Sequence, residues 1–104
     1  WNVNTNIHLG NYPDNYNLGA KSHWMGFKDP SKHFIKYGCM WTPYSLDLYY
    51  DGDKVRSITD QKIMEQFKDT TMNVVINNGV DRDVDVHNPP ESEMIVNYFK
   101  YEPY

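Results

Sequence analysis

The sequence predicts an antiparallel β-sandwich, on three observations. Apolar and polar residues alternate with period two in several short runs, Pro and Gly turn signals separate those runs, and at most one helical turn competes. Aromatic residues fill 15% of the 104 positions, with nine Tyr and three Trp, as suits pleated strands.

Residues 1–9 alternate strictly. Val3, Thr5, Ile7 and Leu9 fall on one face of a strand, and Asn2, Asn4, Asn6 and His8 on the other. Amides are poor strand formers, so a row of them is either a solvated side or a hydrogen-bonding floor for a polar ligand. Residues 10–19 are dense in Gly, Asn, Pro and Tyr and read as a loop. Residues 20–27 predict a short strand carrying Trp24, and residues 28–32 a turn. Residues 34–56 are the most informative stretch. Ile35, Tyr37, Cys39 and Trp41 share a strand face, Thr42-Pro43 ends the ladder, and residues 46–50 form a second run. Asp51-Gly52 supplies the left-handed turn, and Val55 opens a third strand that ends over residues 56–59.

At residues 60–69 a short helical turn or an irregular link is expected, with Asp60 as the candidate cap and Ile63, Met64 and Phe67 on one face at helical spacing. Residues 71–77 form a nearly continuous apolar run, predicting a strand buried on both faces. Residues 78–92 read as a long loop, and residues 93–101 as a last alternating strand. The total is six or seven short strands, the pattern of a sandwich.

Composition excludes several classes. A net charge of −4 and no Lys/Arg stripe argue against nucleic acid as a partner. A mean hydropathy of −0.78, with 39% hydrophobic residues, provides no run long enough for a transmembrane helix. Cys39 is the only cysteine, so no intrachain disulfide forms, and its place between Tyr37 and Trp41 predicts a buried structural thiol. His8, His23, His33 and His87 have no metal-ligand spacing, so no zinc and no other cofactor is expected. There is no phosphate-cradling glycine loop.

The spacing Phe34-x-x-Tyr37-x-x-x-Trp41-Thr42-Pro43, then Leu46-x-Leu48-Tyr49-x-Asp51-Gly52-x-x-Val55-Arg56, resembles glycoside hydrolase family 16. These are laminarinases and β-glucanases built on a jelly roll of concanavalin A type. Residues 72–77 with Gly79-Val80 resemble the family strand that ends in an Asn beside the sugar cleft, and residues 94–101 its closing strand. Residues 4–8 resemble the strand after the catalytic one, whose polar face looks into the cleft. Three positions depart from the family: Ile35 where His is usual, Met40 where an acid is usual, and Asn97 where Asp is usual. That Asp helps some members hold a structural calcium, for which a neutral amide is a weaker ligand.

The resemblance also implies a chemistry. Retaining hydrolysis of a glycosidic bond uses two carboxyl groups about 5–5.5 Å apart. The family carries them on one strand as E-x-D-x-x-E, a motif that residues 1–104 do not contain. Asp83 and Asp85, and Glu91 and Glu93, have i, i+2 spacing but read as solvated loop acids, so no residue here is expected to be catalytic. By resemblance the catalytic strand would precede Trp1. Residues 1–104 are therefore expected to be a single β-sandwich domain or the carboxyl-terminal half of one.

Three functions fit these features. One is part of a β-glucan hydrolase, with Asn4, Asn6, His8 and Asn77 bonding sugar hydroxyls and Trp24 stacking on a ring. For Trp24, packing in the core is the alternative. The second function is a non-catalytic carbohydrate-binding module, and the third a structural β-sandwich without a sugar site. The expected partners are β-glucan and the missing half of the domain, or a second copy joined through open sheet edges. The resemblance also implies a secreted or periplasmic location, since polysaccharides lie outside the cell.

Overall fold

A computed structural model describes residues 2–10, 16–17 (backbone only), 19, 21–24, 26, 28–79, 91 and 93–103. Two units compose the chain, Trp1–Thr70 and Thr71–Pro103.

The first unit is antiparallel throughout, with one short helical element. Strand β1, Asn2–Thr5, pairs with β4, Lys21–Trp24; β2, His8–Leu9, pairs with β3, Tyr16–Asn17. The expected strand over residues 1–9 is thus broken at Asn6. There the side-chain Oδ1 accepts a bond from the Ile7 amide at 2.8 Å, a local contact that competes with ladder pairing. The alternation survives the break: Val3, Thr5, Ile7 and Leu9 are half-buried, while Asn2, Asn4 and His8 are exposed. Part of the loop expected at residues 10–19 pairs as β3; residues 11–15 and 18 lie outside the described residues.

A three-stranded sheet follows, β5 (Tyr37–Trp41), β6 (Leu46–Tyr50) and β7 (Asp53–Ile58), in that order. Thr42 organises the first connection. Its amide donates to the Ser45 carbonyl at 2.9 Å, and its hydroxyl accepts from the Tyr44 and Ser45 amides. The second connection is the two-residue turn Asp51-Gly52, with φ of 52° and 94°. Both residues are left-handed, the arrangement that matches strand twist in a tight hairpin. A register shift between Leu48 and Tyr49 leaves Val55 as the extra residue of β7, a bulge just before Arg56.

The core lies on the sheet face bearing Leu46 and Ile58. The helical turn α1, Gln61–Met64, and the 3₁₀ turn Glu65–Phe67 bring Met64 and Phe67 onto it, and Ile7, Leu9, Trp41, Leu48 and Ile63 complete the cluster. Asp60 caps α1 as the sequence predicts, its Oδ1 accepting from the Lys62 amide at 2.9 Å. Trp41 meets Phe67 edge to face, with ring centroids 6.0 Å apart. Burying each of these large side chains contributes about 1.5–3 kcal/mol.

In the second unit the strands expected at residues 71–77 and 93–101 do not form. Its described residues carry no strand or helix and are exposed, with Val75 at 77% and Ile95 at 64%. Alternation and β propensity describe how a segment fits beside a neighbouring strand, and no ladder partner exists for these residues in this structure.

A substitution at the hairpin turn tests its geometry. A Cβ at Gly52 meets nothing within 4 Å, so Gly52→Ala is sterically free and bears only the backbone penalty of φ 94°. Urea unfolding is expected to give a loss of about 1–2 kcal/mol; an unchanged midpoint refutes the left-handed turn.

Candidate functional site

Register decides which side chains meet. Asn2 lies opposite Trp24 and Asn4 opposite Ser22, while Val3 lies opposite His23 and Thr5 opposite Lys21. Directly opposed residues share a face, so Asn2, Asn4, Ser22 and Trp24 form one side of the β1–β4 ladder. All four are exposed, Trp24 to 76%, which corrects the reading of that indole as core. The Ser22 hydroxyl donates to Asn4 Oδ1 at 2.6 Å. That bond uses the Asn4 oxygen and not its amide N–H donors, on the same face as the exposed Trp24 ring.

The other predicted positions are placed differently. Asn6 is half-buried at the strand break, its oxygen occupied by the Ile7 amide. His8 is exposed in the second ladder, opposite Asn17. Asn77 is exposed within the second unit. The structure therefore brings together Asn4 and Trp24 and adds Asn2 and Ser22. Ser22 was discoverable in principle, because it precedes Trp24 by two and so shares its strand face.

The inner side of β1 is held from below. Thr5 Oγ1 lies 2.9 Å from His23 Nε2. Arg56, only 8% exposed, directs Nη1 to the Thr5 carbonyl at 2.9 Å, the Thr5 hydroxyl at 3.3 Å and the Gly19 carbonyl at 3.3 Å. A cleft of about 150 Å³ runs from Val3, Asn4 and Thr5 to Tyr37, Tyr49 and Tyr50. This is smaller than the roughly 300 Å³ at which enclosed small-molecule pockets begin, so the ladder is an open face. A second cleft, of about 340 Å³, lies over Trp41, Met64 and Phe67, where the core reaches the surface.

On the opposite side of the three-stranded sheet, Asp47 is buried against Ser57. The Ser57 hydroxyl donates to its Oδ1 at 2.5 Å, and Lys54 Nζ approaches Oδ2 at 3.3 Å. The Ser57 bond, helped by Lys54 and opposed by desolvation, holds the Asp47 carboxyl below the usual range. The same pairing raises Lys54. Asp47 is thus a fixed structural anion, unsuited to carrying a proton in general acid catalysis.

Cys39 is exposed, which corrects the expectation of a buried thiol; its side of the strand is only partly covered. Lost hydration of the thiol, then the Asp47 charge, still push it above its ordinary value, leaving it protonated and a weak nucleophile. Among the described residues no group of three or more His, Cys, Asp and Glu is placed to hold a metal ion, and no helix is long and apolar enough to cross a membrane. Asp83 and Asp85 lie outside the described residues; Glu91 and Glu93 are exposed.

Comparison with known proteins places the chain in a class. The family model for glycosyl hydrolases family 16 matches residues 1–99. The chain belongs to that family, and its all-β, antiparallel architecture is that of the family's β-sandwich. No curated protein and no solved structure matched it.

The Asp47 cluster makes a pH prediction. A carboxyl whose pKa is lower folded than unfolded contributes stability that is present above the unfolded value, about 3.9, and lost as pH falls through the folded one. Asp47→Asn is expected to flatten the acid limb of a plot of Tm against pH. An acid limb as steep as wild type would refute this role for Asp47.

Proposed function

We propose that this chain is the carboxyl-terminal portion of a family 16 hydrolase domain that takes β-glucan along the outer face of β1–β4. The observation that carries this reading is Trp24, 76% exposed on the same face as Asn4 and Ser22. A sugar ring offers an apolar C–H face and a rim of hydroxyls. An open indole suits the first, and amide and hydroxyl groups suit the second. Asn6 and His8, further along the first unit, add to its polar set, and Asn77, in the second unit, is a separate candidate for bonding a sugar hydroxyl. Membership of a glycosidase family supports the chemical class.

Hydrolysis of the O-glycosidic bond would use the paired carboxyl groups of an E-x-D-x-x-E strand, which we propose precedes Trp1 in the complete domain. The side chains named here then bind and orient the polymer. A second reading is a non-catalytic carbohydrate-binding module that uses the same exposed Trp24 face. Release of reducing ends from laminarin by the complete gene product separates the two. Action on a polysaccharide implies a secreted or periplasmic protein.

We also propose that the exposed apolar residues of the second unit, among them Val75, Ile76, Ile95 and Phe99, take up neighbouring strands from the rest of the domain or from a second copy.

Titrating laminarin and mixed-linkage β-glucan against tryptophan fluorescence tests the binding face. Trp24→Ala is expected to weaken affinity on the order of tenfold, the effect of removing a contact worth about 1.4 kcal/mol. A wild-type protein silent to both glucans at millimolar sugar counts against the site. In sedimentation, the isolated chain is expected to associate as its concentration rises; a stable monomer throughout argues against exposed strand-pairing edges.

A further inference from the structure

We propose that Arg56 is a positioning residue for the glucan-facing ladder, acting from beneath through the backbone of Thr5 and Gly19. This rests on the reading of the β1–β4 face given above.

The geometry is specific. Thr5 and Lys21 form the last pair of the ladder, and Gly19 lies two residues before β4 begins. The Nη1 of Arg56 reaches the carbonyls of both, at 2.9 Å to Thr5 and 3.3 Å to Gly19. One guanidinium nitrogen on β7 therefore holds the end of β1, 51 residues away in sequence, and Gly19 ahead of β4, 37 residues away. The Thr5 carbonyl belongs to the rigid peptide plane shared with Asn6. Fixing that plane sets ψ of Thr5 and φ of Asn6. It thereby anchors the strand end whose neighbouring positions carry the Asn4 and Asn6 side chains.

Arg56 lies opposite Leu48 on the core face of the sheet and is almost fully buried. Among the described residues its Nη1 bonds go to neutral oxygens, two carbonyls and a hydroxyl. A neutralising role alone would be met by a carboxylate. A cation directed instead to two backbone carbonyls orients the chain that bears them. Lysine keeps the charge but presents a compact ammonium on a flexible stem in place of a planar fork with a fixed direction, so it is not an equivalent clamp.

The experiment compares Arg56→Lys with Ile58→Val, a core truncation in the same strand that removes none of the Arg56 hydrogen bonds. Amide hydrogen exchange along β1 and β4 and laminarin affinity by tryptophan fluorescence are both read on the full chain. For Arg56→Lys, faster exchange confined to β1 and β4 and laminarin binding about tenfold weaker are expected. For Ile58→Val, a lower Tm with unchanged β1–β4 exchange and unchanged affinity is expected. Unchanged β1–β4 exchange in Arg56→Lys overturns the clamp. Faster exchange with unchanged laminarin affinity overturns its role in positioning. Equal weakening of binding by Ile58→Val assigns the effect to general stability and also overturns it. A wild-type chain that does not bind laminarin sinks the sugar reading and, with it, the positioning role, leaving exchange to judge the clamp itself.

Discussion

A cation on the core face of a small sheet must find acceptors inside the protein, since the water that would solvate it has been displaced. Arg56 finds them in the Thr5 and Gly19 carbonyls, and that requirement shapes the rest of the first unit. A two-stranded ladder such as β1–β4 is marginal on its own. It persists because its end is bonded to β7, and because Ile7 and Leu9 just beyond it pack on the core. The bulge at Val55 immediately precedes the arginine, and bulges commonly re-aim the side chains beside them.

The three-stranded sheet needs less outside help. Its hairpins are short, its turns carry the residues their backbone angles demand, and the following helical turn is capped by its own Asp60. Leu46, Ile58, Met64 and Phe67 come from neighbouring stretches of chain, so this core assembles from local contacts. Tyr37 and Tyr50, partners in register, add an edge-to-face contact with centroids 5.3 Å apart. The Lys28–Asp51 ion pair links the turn after β4 to the hairpin tip, where exposure keeps its contribution small.

The acids of the first unit illustrate how environment separates structural carboxylates from chemical ones. Asp47 and Asp29 are buried and each accepts a serine hydroxyl, Ser57 and Ser31, which favours their charged forms. Neither belongs to a pair of carboxyls poised to exchange protons. Family membership names a glycosyl hydrolase, and neither of these carboxylates has the environment of a proton carrier.

Much of the first unit was legible in residues alone. The alternation of Val3, Thr5, Ile7 and Leu9, the Asp51-Gly52 turn, the Asp60 cap and the strand around Trp24 all follow from local backbone preference and side-chain period. The family is legible too, because its spacing sits in that local pattern. Tertiary structure decided what depends on pairing. It set Ser22 against Asn4, turned Trp24 outward, left Cys39 exposed and directed Arg56 to carbonyls far away in sequence. It also left residues 71–77 and 93–101 without strands, although their alternation is as clear as that of β1. A period of two states which side chains would share a face. Whether the strand exists depends on a neighbouring edge to receive its backbone hydrogen bonds, and that is a property of the assembled chain.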